Sequence, residues 1–217
     1  MSVPAVPGIV LKFDVDDTAL LPPLADLAGI DSVDEPVDSK LRAEYFDTQD
    51  LRLASRGITL GRRIGGNTAG WHLTVPGAAD ERKEYREPLE RTTKVIPEPL
   101  LRLIRVHTRN EALTPVARLT TQRTVHRLRG MNGEVLADFS DDQVHVQTLF
   151  SDQGTHSWRE WGIERVDGSP DLLKAGQHLL ATRGISPAGG GSRLVRALGP
   201  HLHSVPAARP TPARPPR

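Results

Sequence analysis

Tyr45-Phe46-Asp47-Thr48, Asp50-Leu51-Arg52-Leu53 and Gly57-Ile58-Thr59-Leu60-Gly61-Arg62-Arg63 decide how this chain folds. The first block reads as the end of a strand, the second as a connection carrying Asp50 and Arg52. Gly57 makes a turn, and a second strand runs from Ile58 to Ile64. Two strands so joined form a hairpin. Alternation sends Thr59, Gly61 and Arg63 to one face and Ile58, Leu60 and Arg62 to the other. Arginine then reaches into whatever the sheet encloses.

A chain of 217 residues is long enough for one core of substantial size. It has no cysteine, so neither a disulfide framework nor a thiolate metal site is available, and the cytoplasm is the simplest compartment. No segment reads as a signal peptide or membrane span, and a soluble protein is expected. With 28 basic against 27 acidic residues the net charge is +1, which argues against a protein built mainly to coat nucleic acid. The basic residues are lopsided, because 23 of the 28 are arginine. Arginine's planar fork suits phosphate oxygens; genome base composition is the plainer explanation, and composition does not separate the two.

Outward from the hairpin, Ile9 to Val15 reads as a first strand holding Lys12, and residues 16 to 40 as an acidic, Pro-containing connection. Gly70 to Val75 is the next strand after the Gly65-Gly66-Asn67 turn. Arg82 to Leu89 places Arg82, Glu84 and Arg86 on one face and Lys83, Tyr85 and Glu87 on the other. Pro97 opens a helix through His107 with Leu100, Leu101 and Ile104 at helical spacing. Val116 to Arg129 and Glu134 to Val146 form a second hairpin about Asn132-Gly133, the second arm bearing Asp138 and Asp142 on one face. Ser157 to Val166 alternates Glu160, Gly162 and Glu164 with Trp161 and Ile163. Ser169-Pro170 starts a helix with a leucine stripe that Gly184 stops, and a last helical turn holds Arg193.

Many antiparallel strands, helices outside, and strand faces bearing both arginines and carboxylates predict a mainly β (α+β) fold, a barrel wide enough for a polar lumen. Arginines and lysine there would bind a polyanion, and opposing carboxylates a divalent metal. Solvated strand faces with rim salt bridges, each worth roughly 0 to 1 kcal/mol, account for the same pattern.

The hairpin blocks, together with Gly70-Trp71-His72-Leu73, Pro76, Pro115-Val116-Ala117-Arg118-Leu119, Arg123-Thr124-Val125 and Trp158-Arg159-Glu160, resemble the CYTH domain, the family of triphosphate tunnel metalloenzymes. The resemblance runs from about Ile9 to Leu198. It implies an eight-stranded antiparallel tunnel-like barrel with helices packed outside, over residues 1–199; by its composition the stretch 200–217 reads as a disordered Pro/Arg-rich tail. It also implies binding and metal-dependent hydrolysis of triphosphate compounds, inorganic triphosphate first, with Mg²⁺ or Mn²⁺ as cofactor. The natural ligand would be a triphosphate-containing small molecule or short polyphosphate. No membrane, no sequence-specific nucleic acid and no obligate protein partner is expected.

The family's first-strand Glu-x-Glu-x-Lys signature is present only as Lys12, its glutamate positions holding Gly8 and Val10. Gly61 stands for the first arginine of Leu-Arg-x-Arg, Thr74 for a lysine, and Gly162 for a late-strand glutamate. Carried over, the phosphate-binding candidates are Lys12, Arg63, Arg82, Arg118, Arg123 and Arg193. The metal candidates are Glu84, Asp138, Asp142, Glu160 and Glu164, with Glu84 and Glu160 as catalytic carboxylates acting on water. Loss of the other carboxylates predicts weakened turnover; a non-catalytic module binding polyphosphate or a nucleoside triphosphate is the alternative. A CHAD domain, the family's frequent bacterial partner, is not expected from these residues.

Overall fold

The computed structural model describes residues 4–5, 10–77, 82–89, 95–149, 154–189, 192–199 and 202. Ten strands form one sheet: β1 (Pro4–Ala5), β2 (Val10–Val15), β3 (Ser32–Val33), β4 (Val37–Asp47), β5 (Thr59–Ile64), β6 (Gly70–Pro76), β7 (Arg82–Glu87), β8 (Thr114–Arg129), β9 (Val135–Thr148) and β10 (Thr155–Arg165). Their order is β1-β7-β6-β5-β4-β8-β9-β10-β2, with β3 attached to β8 as a branch. Every ladder is antiparallel.

The expected closed eight-stranded barrel is not what the chain builds. The sheet is open: among the described residues the one ladder of β2 is with β10, beside an isolated bridge from Phe13 to Pro187, and no ladder joins it to β1 or β7 at the far end. Charged strand faces predict an enclosed polar lumen, and the family resemblance implies eight strands around it. In the structure those charges neutralise one another laterally, between neighbouring strands of one face, so closure is not required to keep them satisfied. Short or charged edge strands such as β1 and β2 are also how open sheets discourage further pairing.

The predicted strands and helices are otherwise present, with β4 beginning at Val37 inside what the sequence reads as a connection. The hairpin of β4 and β5 turns on Asp47, which is fully buried. Its Oδ1 accepts N–H bonds from Thr48 (2.7 Å) and Leu53 (2.9 Å), and its Oδ2 one from Ala54 (2.9 Å). Burial pushes the Asp47 carboxyl up against these three bonds, which favour its charged form. Gly57 closes the turn at φ 69°, a conformation that glycine adopts without a Cβ penalty.

Among the described residues, three α-helices cover the sheet. Helix α1 (Glu98–Thr108), entered through Pro97 and Pro99, buries Leu100 and Ile104 against Leu60, Trp71 and Leu73. Each side chain so buried contributes about 1.5–3 kcal/mol. Helix α2 (Pro170–Ala181) lays Leu172, Leu173 and Leu180 on Phe13, Phe139, Trp161 and Ile163. Gly176 permits that approach, since a Cβ there would stand 2.5 Å from Cδ1 of Ile163. These helices share the face of Leu60, Trp71 and Trp161. Helix α3 (Arg193–Leu198) packs on the opposite face, burying Leu194, Ala197 and Leu198 against Tyr45, Ala117, Val146 and Trp158.

No described helix is long and apolar enough to cross a membrane. Gly8 and the expected tail lie outside the described residues, apart from Leu202, which is partly buried against the α3 cluster.

Candidate functional site

Residues directly opposite on neighbouring strands share a face, so the registers place each candidate. One row crosses the sheet as Ser39, Arg123, Asp142, Glu160 and Asp14. A second holds Arg127, Asp138, Glu164 and Val10, and between them Ser140, Gly162 and Lys12. On the same face, toward the other edge, stand Arg63, opposite Ala43 and Gly70, and Glu84, opposite Thr74; Arg82 is opposite Pro76. Arg118 faces the other way: it is opposite Glu44 and Gln147 and donates to Glu44 Oε1 at 2.8 Å.

The first cluster is built on a buried carboxylate pair. Asp142 is 2% and Glu160 5% exposed, side by side on β9 and β10. Arg123 grips Asp142 with two parallel bonds, Nε to Oδ1 and Nη2 to Oδ2, both 2.7 Å. Arg193, delivered by α3, donates Nε (2.8 Å) and Nη2 (2.6 Å) to Glu160 Oε1, and Nη2 also to Asp142 Oδ2. Lys12 Nζ stands 3.3 Å from Glu160 Oε1, and the indole N–H of Trp158 donates to Oε2 at 2.8 Å. Burial works against the charged form of Glu160, but Arg193 and Lys12 overcome it and hold its carboxyl at about 2. Lys12 is pulled below its ordinary value by burial first and by Arg193 second. The cluster holds three cations against two carboxylates.

The second cluster surrounds Glu84. His72, with a side chain only 4% exposed, sets Nδ1 2.8 Å from Glu84 Oε1 and Nε2 2.8 Å from the carbonyl oxygen of Thr68. Arg86 donates Nε (3.1 Å) and Nη2 (2.7 Å) to Oε2, and Arg63 Nη1 lies 3.8 Å from Oε1. Burial again opposes ionisation, and the hydrogen bonds of His72 and Arg86 with the charge of Arg63 still lower this carboxyl to about 2. His72 and Arg86 were not among the sequence candidates. Alternation along β7 puts Arg86 beside Glu84, whereas His72 reaches this face through the register of β6 with β7, which the sequence alone does not fix.

Of the metal candidates, Asp138 and Glu164 form a second cross-strand pair, with Arg127 Nε 3.7 Å from Asp138 Oδ1. Burial raises the Asp138 carboxyl, against Arg127 and Arg123. Glu164 is exposed. The acids therefore stand in twos, with Glu84 separate, and among the described residues no three of His, Cys, Asp or Glu form a group that could hold a metal ion. Each oxygen of Asp142, Glu160 and Glu84 already accepts from a cation, an imidazole or the indole. That donor set does not fit a divalent cation, which needs free carboxylate lone pairs.

Two of the missing family side chains have physical replacements. A Cβ on Gly61 would stand 3.0 Å from Cδ1 of Tyr45, so the tyrosine ring fills the space that an arginine would enter. A Cβ on Gly162 would meet Oγ of Ser140 at 2.7 Å.

A sequence profile of the CYTH domain matches residues 8–183. The chain belongs to the CYTH domain family. Two uncharacterised proteins of Mycobacterium tuberculosis, from strains CDC 1551 and H37Rv, are each 38% identical to it over 201 residues. The match takes in 87% of this chain and 39% of either relative, so the chain spans well under half their length. A crystal structure from Bacillus halodurans, provisionally assigned as an adenylate cyclase, superposes with a TM-score of 0.55 at 16% identity, over 87% of this chain and 96% of that one. At that identity the likeness concerns the fold alone. Membership in the CYTH family brings a general expectation of metal dependence.

Proposed function

We propose that this chain binds compounds carrying a triphosphate group, inorganic triphosphate first, on the charged face of its sheet. One observation carries the reading: Arg123, Arg193 and Lys12 converge on Asp142 and Glu160 with one positive charge in excess. The two carboxylates act as positioning residues. They fix each guanidinium through Nε and Nη2, and Nη1 remains as a donor for a phosphate oxygen. Membership of the CYTH family supports the ligand class.

Phosphoanhydride hydrolysis with Mg²⁺ or Mn²⁺ is the activity that the family resemblance suggests, and we expect it to be weak here. Asp142, Glu160 and Glu84 are engaged by arginine, and Val10 and Gly162 supply no carboxylate. A non-catalytic binding module is the form this account reaches when turnover is absent.

Calorimetric titration with sodium tripolyphosphate, run without metal and with Mg²⁺ or Mn²⁺, tests the binding. Phosphate release in the same mixtures tests turnover. Saturable binding without metal and little release is expected; absence of binding at millimolar ligand in every mixture overturns the proposal.

A further inference from the structure

A single nitrogen of Arg193 bridges two strands. Nη2 donates to Asp142 Oδ2 on β9 and, at 2.6 Å, to Glu160 Oε1 on β10, and those two residues are register partners. A divalent ion shared by the pair would sit between the same two oxygens, because such ions take carboxylate oxygens as ligands at roughly 2.0–2.6 Å. Both oxygens are already full, each having two lone pairs. Asp142 Oδ2 accepts from Nη2 of Arg123 at 2.7 Å as well as from Nη2 of Arg193. Glu160 Oε1 accepts from Nε of Arg193 at 2.8 Å as well as from Nη2, with Lys12 Nζ 3.3 Å away. The remaining oxygens, Asp142 Oδ1 and Glu160 Oε2, are held by Arg123 Nε at 2.7 Å and the Trp158 indole at 2.8 Å.

The bridging cation is part of the chain itself. Helix α3 seats it by burying Leu194, Ala197 and Leu198, and Arg196 of the same helix pairs with Asp14. Tethering presents a group at an effective concentration on the order of millimolar or more. A guanidinium keeps its charge at working pH, whereas an incoming Mg²⁺ must shed water before it can displace one. Burial works against the charge of Arg193, and the Glu160 and Asp142 carboxylates raise its guanidinium nonetheless. For the position between the two oxygens, Arg193 therefore has the advantage over a free ion.

We infer that the Arg193 guanidinium stands in for the divalent ion in this chain: it fills the cation position between Asp142 and Glu160 and keeps a metal out. The pair is a metal site closed from within, and α3 is the element that closes it. Metal exclusion needs no phosphate ligand. Its consequence for binding rests on the triphosphate reading above: Mg²⁺ weakens the binding of tripolyphosphate, since it removes negative charge from the ligand and gains no carboxylate from the protein.

The test titrates Mn²⁺, without any phosphate ligand, into the full chain, Arg193→Met, Arg193→Lys, Glu160→Gln and the double variant Arg193→Met/Glu160→Gln, and follows the paramagnetic resonance of the free ion. Methionine supplies neither a charge nor an oxygen. Arg193→Met is expected to bind Mn²⁺ at least roughly tenfold more tightly than the wild type, about the effect of one freed charge-assisted contact. Arg193→Lys keeps a cation and shows no gain, and adding Glu160→Gln abolishes the gain of Arg193→Met. An Arg193→Met protein that is folded by its tryptophan fluorescence and binds Mn²⁺ no better than the wild type overturns the inference. So does wild-type Mn²⁺ binding that Glu160→Gln removes, a result that does not depend on the stability of the Arg193 variants. Calorimetry of the wild type with tripolyphosphate, with and without Mg²⁺ at constant ionic strength, is the second measurement. Weaker binding with Mg²⁺ is expected, and tighter binding overturns the inference. Absence of tripolyphosphate binding in both mixtures sinks the triphosphate reading and leaves the Mn²⁺ titrations to decide this one.

Discussion

Arg193 and Glu160 are joined through a single carboxylate oxygen: Nε at 2.8 Å and Nη2 at 2.6 Å both donate to Oε1, leaving Oε2 to the indole of Trp158. The contact ties α3 to β10 and links helix packing to the charge of the candidate site. It also makes the site's central cation a structural residue.

Arg193→Ala is therefore expected to destabilise the fold. It leaves Asp142 and Glu160, at 2% and 7% side-chain exposure, with Arg123 and Lys12 as their cations. Breaking one partner of a buried pair costs about 3–5 kcal/mol, and the remaining cations put this variant near the lower end. Urea unfolding monitored by tryptophan fluorescence reads the change. A loss under about 1 kcal/mol would mean that the apolar packing of α3 and its Arg196–Asp14 ion pair hold the helix without Arg193.

Acid should weaken the fold in a defined window. Glu84 and Glu160 both fall from an ordinary value of 4.5 to about 2 in the folded chain. A depressed carboxyl stabilises the fold fully above its unfolded value and loses that contribution as pH drops through the folded one. Stability should hold above about pH 4.5 and decline toward pH 2, by on the order of 3 kcal/mol for each group. Glu84→Gln and Glu160→Gln should each flatten their share of the decline in denaturant midpoints taken across that range.

Val10→Glu should create a cation site where none is complete. Val10 is directly opposite Glu164, and Glu164 directly opposite Asp138, so a glutamate at 10 makes three carboxylates in one row. Val10 is 40% exposed, which keeps the folding cost small. Mn²⁺ affinity measured by calorimetry should rise at least roughly tenfold, about 1.4 kcal/mol. Equal affinity in wild type and variant would mean that Arg127 already claims the row.

Gly61→Arg, which restores the family's arginine, is expected to destabilise the chain. The new Cβ would press on Cδ1 and Cε1 of Tyr45 at 3.0 and 3.1 Å, and Tyr45 is 8% exposed within the α3 cluster. Overpacking of this kind costs about 1–3 kcal/mol, readable as a fall in the thermal midpoint. An unchanged midpoint would show the ring free to move aside.

The faces were legible in the sequence because strand parity is strict. Arg63, Glu84, Asp142, Glu160 and Lys12 fall together as alternation requires, and Asn132-Gly133 turns its hairpin. Closure was not legible. Alternation says which side chains share a face but not whether the first and last strands meet, and β2 does not meet β1 or β7. Arg118 was grouped with the other arginines by motif, although it is five residues from Arg123 and an odd spacing on one strand sends it to the other face. The grip of arginine on Glu84, Asp142 and Glu160 was invisible too, because pairing depends on cross-strand register and on where α3 delivers Arg193.

The central claim is that the excess positive charge at Asp142 and Glu160 binds triphosphate. Calorimetric titration of wild type and Arg123→Ala with tripolyphosphate, in metal-free buffer at low and high salt, tests it most directly. The account predicts saturable binding by the wild type that weakens steeply as salt rises. It also predicts a loss of roughly tenfold or more in the variant at low salt, the size of one charge-assisted contact. Equal affinity in the two proteins, or wild-type binding indifferent to salt, would contradict it.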